Sequence, residues 1–278
     1  MVPWASLFER SALRWLGCVL ALACEPVPEQ VVETGLPGTP PVIADLIAVA
    51  KPPAVVTEAA TVAPSAAPKT PLQPQSLCNE QTPQPFLVRA HFDSYVAAGG
   101  TAREWKELLD KAVRYRTEQY GYVKGYGKKA WNASTPAEQT GLVTFFGLTV
   151  PLHRRIAPAL ACVEAGIRER CGDQPYQPYV LSGHRKRNTY VSGEISNHVY
   201  GIALDVDPLR NPCCGCIGGW EKSERCQNEK SKFQRMDMPR CWVTEFERFG
   251  FYWLGHDKIE DTMHFEFLAD PGQIVRRP

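Results

Sequence analysis

Residues 25–77 contain no aromatic side chain, and 11 of the chain's 24 prolines fall there. Such a segment cannot bury enough apolar surface to offset its ordering entropy, so it reads as a disordered linker. A dominant charge is lacking too. Lys and Arg number 31 against 30 Asp and Glu, a formal net charge of +1, and the two signs are interspersed. Nothing in that balance argues for nucleic acid, and no nucleic-acid partner is expected. There is no internal repeat and no regular alternation of strands with helices, which excludes solenoids and doubly wound parallel sheets. Histidine is scarce: all six lie after residue 78.

The residues present place the folded part at 78–278, which holds most of the aromatic residues and suffices for one domain with its own core. At the N-terminus, Arg10 and Arg14 precede the apolar run Trp15–Ala23. That run is too short to span a bilayer and suits the core of a secretory signal peptide over residues 1–24. Leu20-Ala-Leu-Ala-Cys24 resembles a bacterial lipoprotein processing site, with Cys24 as lipidated mature N-terminus; simple secretion is the alternative. With a cytosolic chain as the remaining alternative, the expected location is exported, in the cell envelope. A lipid on Cys24 would make residues 25–77 a membrane tether.

Setting Cys18 and Cys24 aside leaves eight cysteines: Cys78, Cys162, Cys171, Cys213, Cys214, Cys216, Cys226 and Cys241. In an exported chain an even number favours disulfides, and no paired CxxC…CxxC spacing supports the rival reading, a thiolate metal cluster.

Pro85–Ala98 reads as a first helix stopped by Gly99-Gly100. Thr101-Ala-Arg-Glu104 fits a capping box, followed by Trp105, Leu108, Leu109, Ala112 and Val113 at helical spacing. The stretch 120–132, rich in Gly, Tyr and Lys, reads as loop. A helix is expected over Pro151–Arg170, with Ile156, Leu160, Val163 and Ile167 on its apolar stripe and Pro158 signalling a kink or late start. Pro178–Ser182 has strand composition, Gly201–Val206 alternates, and 211–239 reads as a disulfide-stapled insertion. A short helix over Arg240–Arg248 and strands at Phe251–Leu254 and Met263–Phe267 complete an α+β domain: helices, then a small antiparallel sheet.

Chemistry concentrates on that sheet. Alternation puts Asp205 opposite in face to Leu204 and Val206, and His264 with Glu266 opposite to Phe265 and Phe267. If the two strands are neighbours, Asp205 and His264 point into one cleft, over which His198 folds from the turn before Gly201. Two imidazoles and one carboxylate suit zinc, and three protein ligands leave a fourth position for water, as catalytic sites require. A base is also needed. Glu260 shares the strand parity of His264; Asp261 does so only if the chain turns before the strand starts. Glu266 could orient an imidazole. Taken singly, His91, His153 and His184 read as structural, whereas His256 lies in the loop before His264 and could reach substrate. Trp220, Trp242 and Trp253 read as core or as the lining of a peptide groove.

Ser196-x-His198-x-x-Gly201-x-Ala203-x-Asp205 followed by Asp261-x-x-His264-Phe-Glu266 resembles the zinc D-alanyl-D-alanine carboxypeptidases of the VanY type and the related L-alanyl-D-glutamate endopeptidases, over roughly residues 150–270. The resemblance implies His198, Asp205 and His264 as Zn2+ ligands, Asp261 as base in place of Glu260, and Ser196 near substrate. Ser182-Gly-His-Arg185 matches the family's upstream arginine, implying that Arg185 stabilises the developing oxyanion. The implied activity is zinc-dependent hydrolysis of peptidoglycan stem peptides. The alternative is a lipid-anchored module that keeps the metal and binds wall peptides without cleaving them.

Overall fold

The computed structural model describes residues 77–88, 99–188, 195–216, 219–227 and 231–276. The expected signal peptide, Cys24, the linker up to residue 76, His91 and most of the helix expected over Pro85–Ala98 lie outside these residues. What is described of that helix is one 3-10 turn, Pro85–Leu87, which ends in extended backbone at Val88.

Helix α1, Ala102–Tyr120, begins at the expected capping box: the Glu104 N–H donates to Thr101 Oγ1 at 3.2 Å and the Thr101 N–H to Glu104 Oε2 at 2.9 Å. Its buried residues are Ala112, Arg116, Thr117 and Tyr120, while Leu108 is exposed. The helix is therefore buried along its C-terminal half rather than from Trp105 onward. A single turn, α2 (Pro136–Gln139), leads into Thr140–Phe145 (β1) and Leu148–His153 (β2), an antiparallel hairpin that the sequence reading does not contain. Phe146 and Gly147 reverse the chain with φ of 47° and 83°. Two successive left-handed residues match the twist of the flanking strands, but Phe-Gly lacks the usual Asn-Gly or Asp-Gly signature.

Residues 151–153 thus belong to β2, Arg154–Ile156 form a 3-10 turn, and helix α3 runs from Ala157 to Arg170 with Pro158 in its first turn. Here Pro158 marks a late start, where its missing N–H has no intrahelical acceptor to lose. Strand β3, Leu181–Ser182, is shorter than expected. Then follow β4 (Ala203–Val206), a short helix α4 (Lys232–Arg235), α5 (Arg240–Arg248), β5 (Phe251–Trp253) and β6 (His264–Phe267). The second sheet is wholly antiparallel, in the order β3-β4-β6-β5.

One face of this sheet packs on α5. Phe246 of α5 stacks on Phe265 of β6 with ring centroids 4.0 Å apart, and Phe251 and Phe145 close round it edge-on or tilted. Trp242 and Trp253 are fully buried, so both belong to the core and neither lines an open groove. All eight cysteines form disulfides, Cys78–Cys162, Cys171–Cys241, Cys213–Cys216 and Cys214–Cys226. The first two close loops with sequence separations of 84 and 70, where the loss of unfolded-chain entropy stabilises by about 4 kcal/mol each. Cys213–Cys216, with a separation of 3, contributes less than about 2 kcal/mol this way and acts locally. Among the described residues no helix is long and apolar enough to cross a membrane.

Candidate metal centre

The pairing of β4 with β6 sets Asp205 directly opposite His264, and β3 sets Ser182 opposite Asp205. His198 comes from a turn in which the Val199 N–H donates to Ser196 O and the Gly201 N–H to His198 O. Gly201 has φ of 70°, and a Cβ there would lie 3.0 Å from the His153 amide nitrogen, so both backbone and space call for glycine. The result is a buried cluster: His198 Nε2 lies 3.1 Å from Asp205 Oδ1 and 3.2 Å from His264 Nδ1, which is 2.8 Å from the same Asp205 oxygen.

Each imidazole has its other nitrogen committed. His198 Nδ1 donates to Gly183 O at 2.6 Å, and His264 Nε2 donates to Glu266 Oε1 at 3.0 Å. Those two acceptors hold a proton on the outer nitrogen of each ring, leaving two lone pairs and a carboxylate oxygen aimed at one point. Gly183 packs against β2 because it has no side chain; a Cβ would sit 2.2 Å from Pro151 O.

The electrostatics of the bare cluster follow. Burial opposes charge on Asp205, but His198 and His264 outweigh it and hold the carboxyl well below its usual range. Burial also opposes charge on His264, yet Asp205 and Glu266 pull its pKa well above the ordinary imidazole value. His198 is held below that value, by burial first. The Asp205 carboxylate thus favours positive charge beside it, which in the bare protein a proton on His264 supplies. Donors around a tetrahedral zinc stand about 3.3 Å apart, close to the separations here, so the residues fit a cation of that kind.

Arg185 forms an ion pair with Asp205 through the other carboxylate oxygen, Oδ2, and its backbone N–H donates to His198 O at 3.1 Å. Glu266 stands behind His264, in the orienting position considered for it. Asp261 lies within electrostatic reach of His264, Asp205 and Arg185; burial foremost pushes its pKa up to about 7. Its Oδ1 is buried with no hydrogen-bond partner, a position that suits a proton acceptor awaiting a ligand.

Glu260, its rival, has φ of 45° and its carboxylate bonds Arg235 of α4 at 2.6 Å. The chain turns there, with the Glu260 N–H donating to Asp257 O, and β6 begins only at His264. Strand parity therefore does not extend back to Glu260. Cys213 bridges to Asp261 as an isolated antiparallel pair, and the Thr262 hydroxyl donates to Pro212 O at 2.9 Å, which ties the disulfide-bearing insertion to this loop. Cys213 and Cys216 lie close enough to the Asp261 carboxylate for three-donor metal binding, but their sulfurs are bonded to each other and hold no thiolate.

Ser196 and His256, expected near substrate, have the following surroundings. Ser196 is buried, its Oγ 3.4 Å from the His198 N–H, so it shapes the turn. His256 bonds Glu247 of α5 at 2.5 Å and rests edge-on against Trp253. His153 Nδ1 accepts from the Arg155 N–H, as a structural residue would; the His184 backbone N–H donates to Pro151 O, and His184 also lines the pocket beside Arg185. Gly183 and the hairpin were not legible as parts of the site. A Ser-Gly pair ending a strand is the one local signal that could have pointed to Gly183.

Residues 190–267 match the model of a family described as D-alanyl-D-alanine carboxypeptidase. The matched segment holds His198, Asp205, Asp261, His264 and Glu266, and supports a peptidase family acting on peptidoglycan. Arg185 and the hairpin fall outside it. No curated protein and no solved structure matches the chain.

Proposed function

We propose that the chain is a zinc metallopeptidase hydrolysing peptide bonds of peptidoglycan stem peptides, as a D-alanyl-D-alanine carboxypeptidase or an L-alanyl-D-glutamate-type endopeptidase. The observation that carries this reading is the convergence of His198 Nε2, His264 Nδ1 and Asp205 Oδ1 on one point, inside the segment that matches the peptidase family. Zinc held there supplies a Lewis acid that polarises the scissile carbonyl and makes water nucleophilic near neutral pH.

The chain's own residues do the rest. Gly183 O and Glu266 hold the two imidazoles in the tautomers that leave the inner nitrogens free. Asp261 takes the proton of the attacking water on its unpartnered Oδ1 and returns it to the leaving amine. Burial raises its pKa in the bare protein, and a divalent charge nearby would favour the carboxylate form that accepts a proton. Arg185, anchored on Asp205, has N–H donors to spare for the carbonyl oxygen as negative charge grows there. Four disulfides support an exported enzyme in an oxidising compartment; with a lipid on Cys24 it would work from the membrane face of the envelope.

The test is mass spectrometry of purified stem peptides incubated with the zinc-loaded full chain, with and without chelator. Chelator-sensitive loss of one terminal alanine makes it a carboxypeptidase, and cleavage after the first L-alanine an endopeptidase. Unchanged peptides with zinc bound would overturn the enzyme reading and leave a peptide-binding module.

A further inference from the structure

Residues 121–132 follow α1 as a loop. This loop contributes Tyr122, Lys124 and Tyr126 to the lining of a groove of about 340 Å3 that Arg185, Lys186 and Asn188 also line. The groove adjoins the metal centre, because Arg185 belongs to both and Val199, next to His198, also lines it. Among the described residues its charge is one-sided: three of those lining it are Lys or Arg and none is Asp or Glu. Arg185 is already paired with Asp205. No carboxylate among the described residues pairs with Lys124 or Lys186.

Exposed lysines alone would be a solvated surface, but this lining is built. Gly121, at φ 108°, turns the chain so that the Tyr122 N–H donates to Ser134 O at 2.8 Å, and the Tyr126 N–H closes a turn on Val123 O at 2.9 Å. Gly127, at φ 75°, packs so closely that a Cβ would meet Thr117 of α1 at 2.3 Å. In the same lining, Asn188 Nδ2 donates to Tyr126 Oη at 3.2 Å while its Oδ1 accepts from the Ser196 N–H at 2.9 Å. Ser196 opens the turn that carries His198. A hydrogen-bonded chain therefore ties the loop to the turn that carries His198.

We propose that this groove is the subsite for a carboxylate-bearing residue of the substrate peptide, with Lys124 and Lys186 supplying the selecting charge and Tyr122 and Tyr126 flanking the peptide chain. The inference rests on the peptidase reading above, since the anionic group a peptide carries is a carboxylate. Ammonium groups donate equally well to a carboxamide oxygen, so discrimination is Coulombic. For two exposed lysines it amounts to about fivefold.

The experiment compares two synthetic stem-peptide analogues, identical except that one side-chain carboxylate is a carboxamide in the second, as substrates of the zinc-loaded full chain. The expected result is about fivefold higher kcat/KM for the carboxylate peptide, carried by KM and shrinking as salt is added. In the double variant Lys124→Glu/Lys186→Glu the preference should invert, which a folding defect cannot produce because it lowers both rates alike. Equal kcat/KM in the wild type, or an unchanged preference in the variant, overturns the subsite. If the wild type cleaves neither peptide, the peptidase reading falls separately, and calorimetric binding of the same two peptides decides the groove. Tighter binding of the carboxylate form, inverted in the variant, sustains it; equal binding overturns it.

Discussion

The two faces of the β4–β6 pair are equally dry and chemically opposite. Leu204, Phe265 and Phe267 on one face are 0% exposed, while Asp205, His264 and Glu266 on the other are 3%, 3% and 0% exposed. The apolar face is filled by α5 and its aromatic rings, so burial there stabilises the fold. The polar face buries two carboxylates and an imidazole, a costly arrangement even when every group is paired. Burial alone thus says nothing about purpose; the difference lies in what each face demands from its surroundings. One is filled by a helix, and on the other two imidazole nitrogens and a carboxylate oxygen converge in a way that fits a cation.

That contrast can be broken from either side. The largest effect is expected from Asp261→Asn, which should lower kcat by about 10²–10⁴ while zinc content by elemental analysis stays at the wild-type level; full activity would hand the base role to another group. On the apolar face, Phe246→Ala should cost about 3–5 kcal/mol of stability by denaturant unfolding and leave metal affinity intact. A loss of metal with no loss of stability would erase the distinction between the faces. Glu266→Gln should weaken zinc binding about 10–100-fold in a competition titration, since it loosens the ring that presents Nδ1. If affinity does not move, the His264 to Glu266 hydrogen bond is only a packing contact.

The smallest effect concerns a buried imidazole with no carboxylate beside it. Burial first, then Arg155, lowers the pKa of His153 to about 4, below the 6.5 of an unfolded histidine. Between those values the unfolded chain binds the extra proton, so this contribution is fully present above pH 6.5 and is lost as pH falls towards 4. Discounted for partial solvation, it is on the order of 2 kcal/mol. Unfolding free energies of wild type and His153→Gln, measured across that window, should differ in slope; parallel curves would show that His153 does not titrate there.

Legibility followed the range of the interactions. The α1 capping box, the α5 helix and the alternation of Ala203–Val206 and His264–Phe267 are set by neighbours in sequence, and they stand as the spacing predicts. The hairpin was hidden because its turn uses Phe146 where a signature residue was expected. Leu108 satisfied helical spacing yet is exposed, since an apolar stripe shows which face can be buried and not how far along it a partner reaches. At the site, two strands with the right alternation can present their polar faces together, but only the pairing puts Asp205 opposite His264. Glu260 and Asp261 are adjacent, and one left-handed residue sends the first to Arg235 and the second towards the cluster.

The sequence by itself determined which groups are available: two imidazoles, a set of carboxylates, an arginine after Ser-Gly, and the periodicities that put them on polar faces. Tertiary structure alone decided which nitrogen of each ring faces inward, which carboxylate stands behind a ligand and which beside it, and that an unassigned loop would line a groove with Arg185. Those choices rest on hydrogen bonds such as His198 to Gly183, Asn188 to Ser196 and Tyr126 to Asn188. No local preference encodes them, because a donor and acceptor far apart in the chain meet only after the strands, the hairpin and the turn have packed.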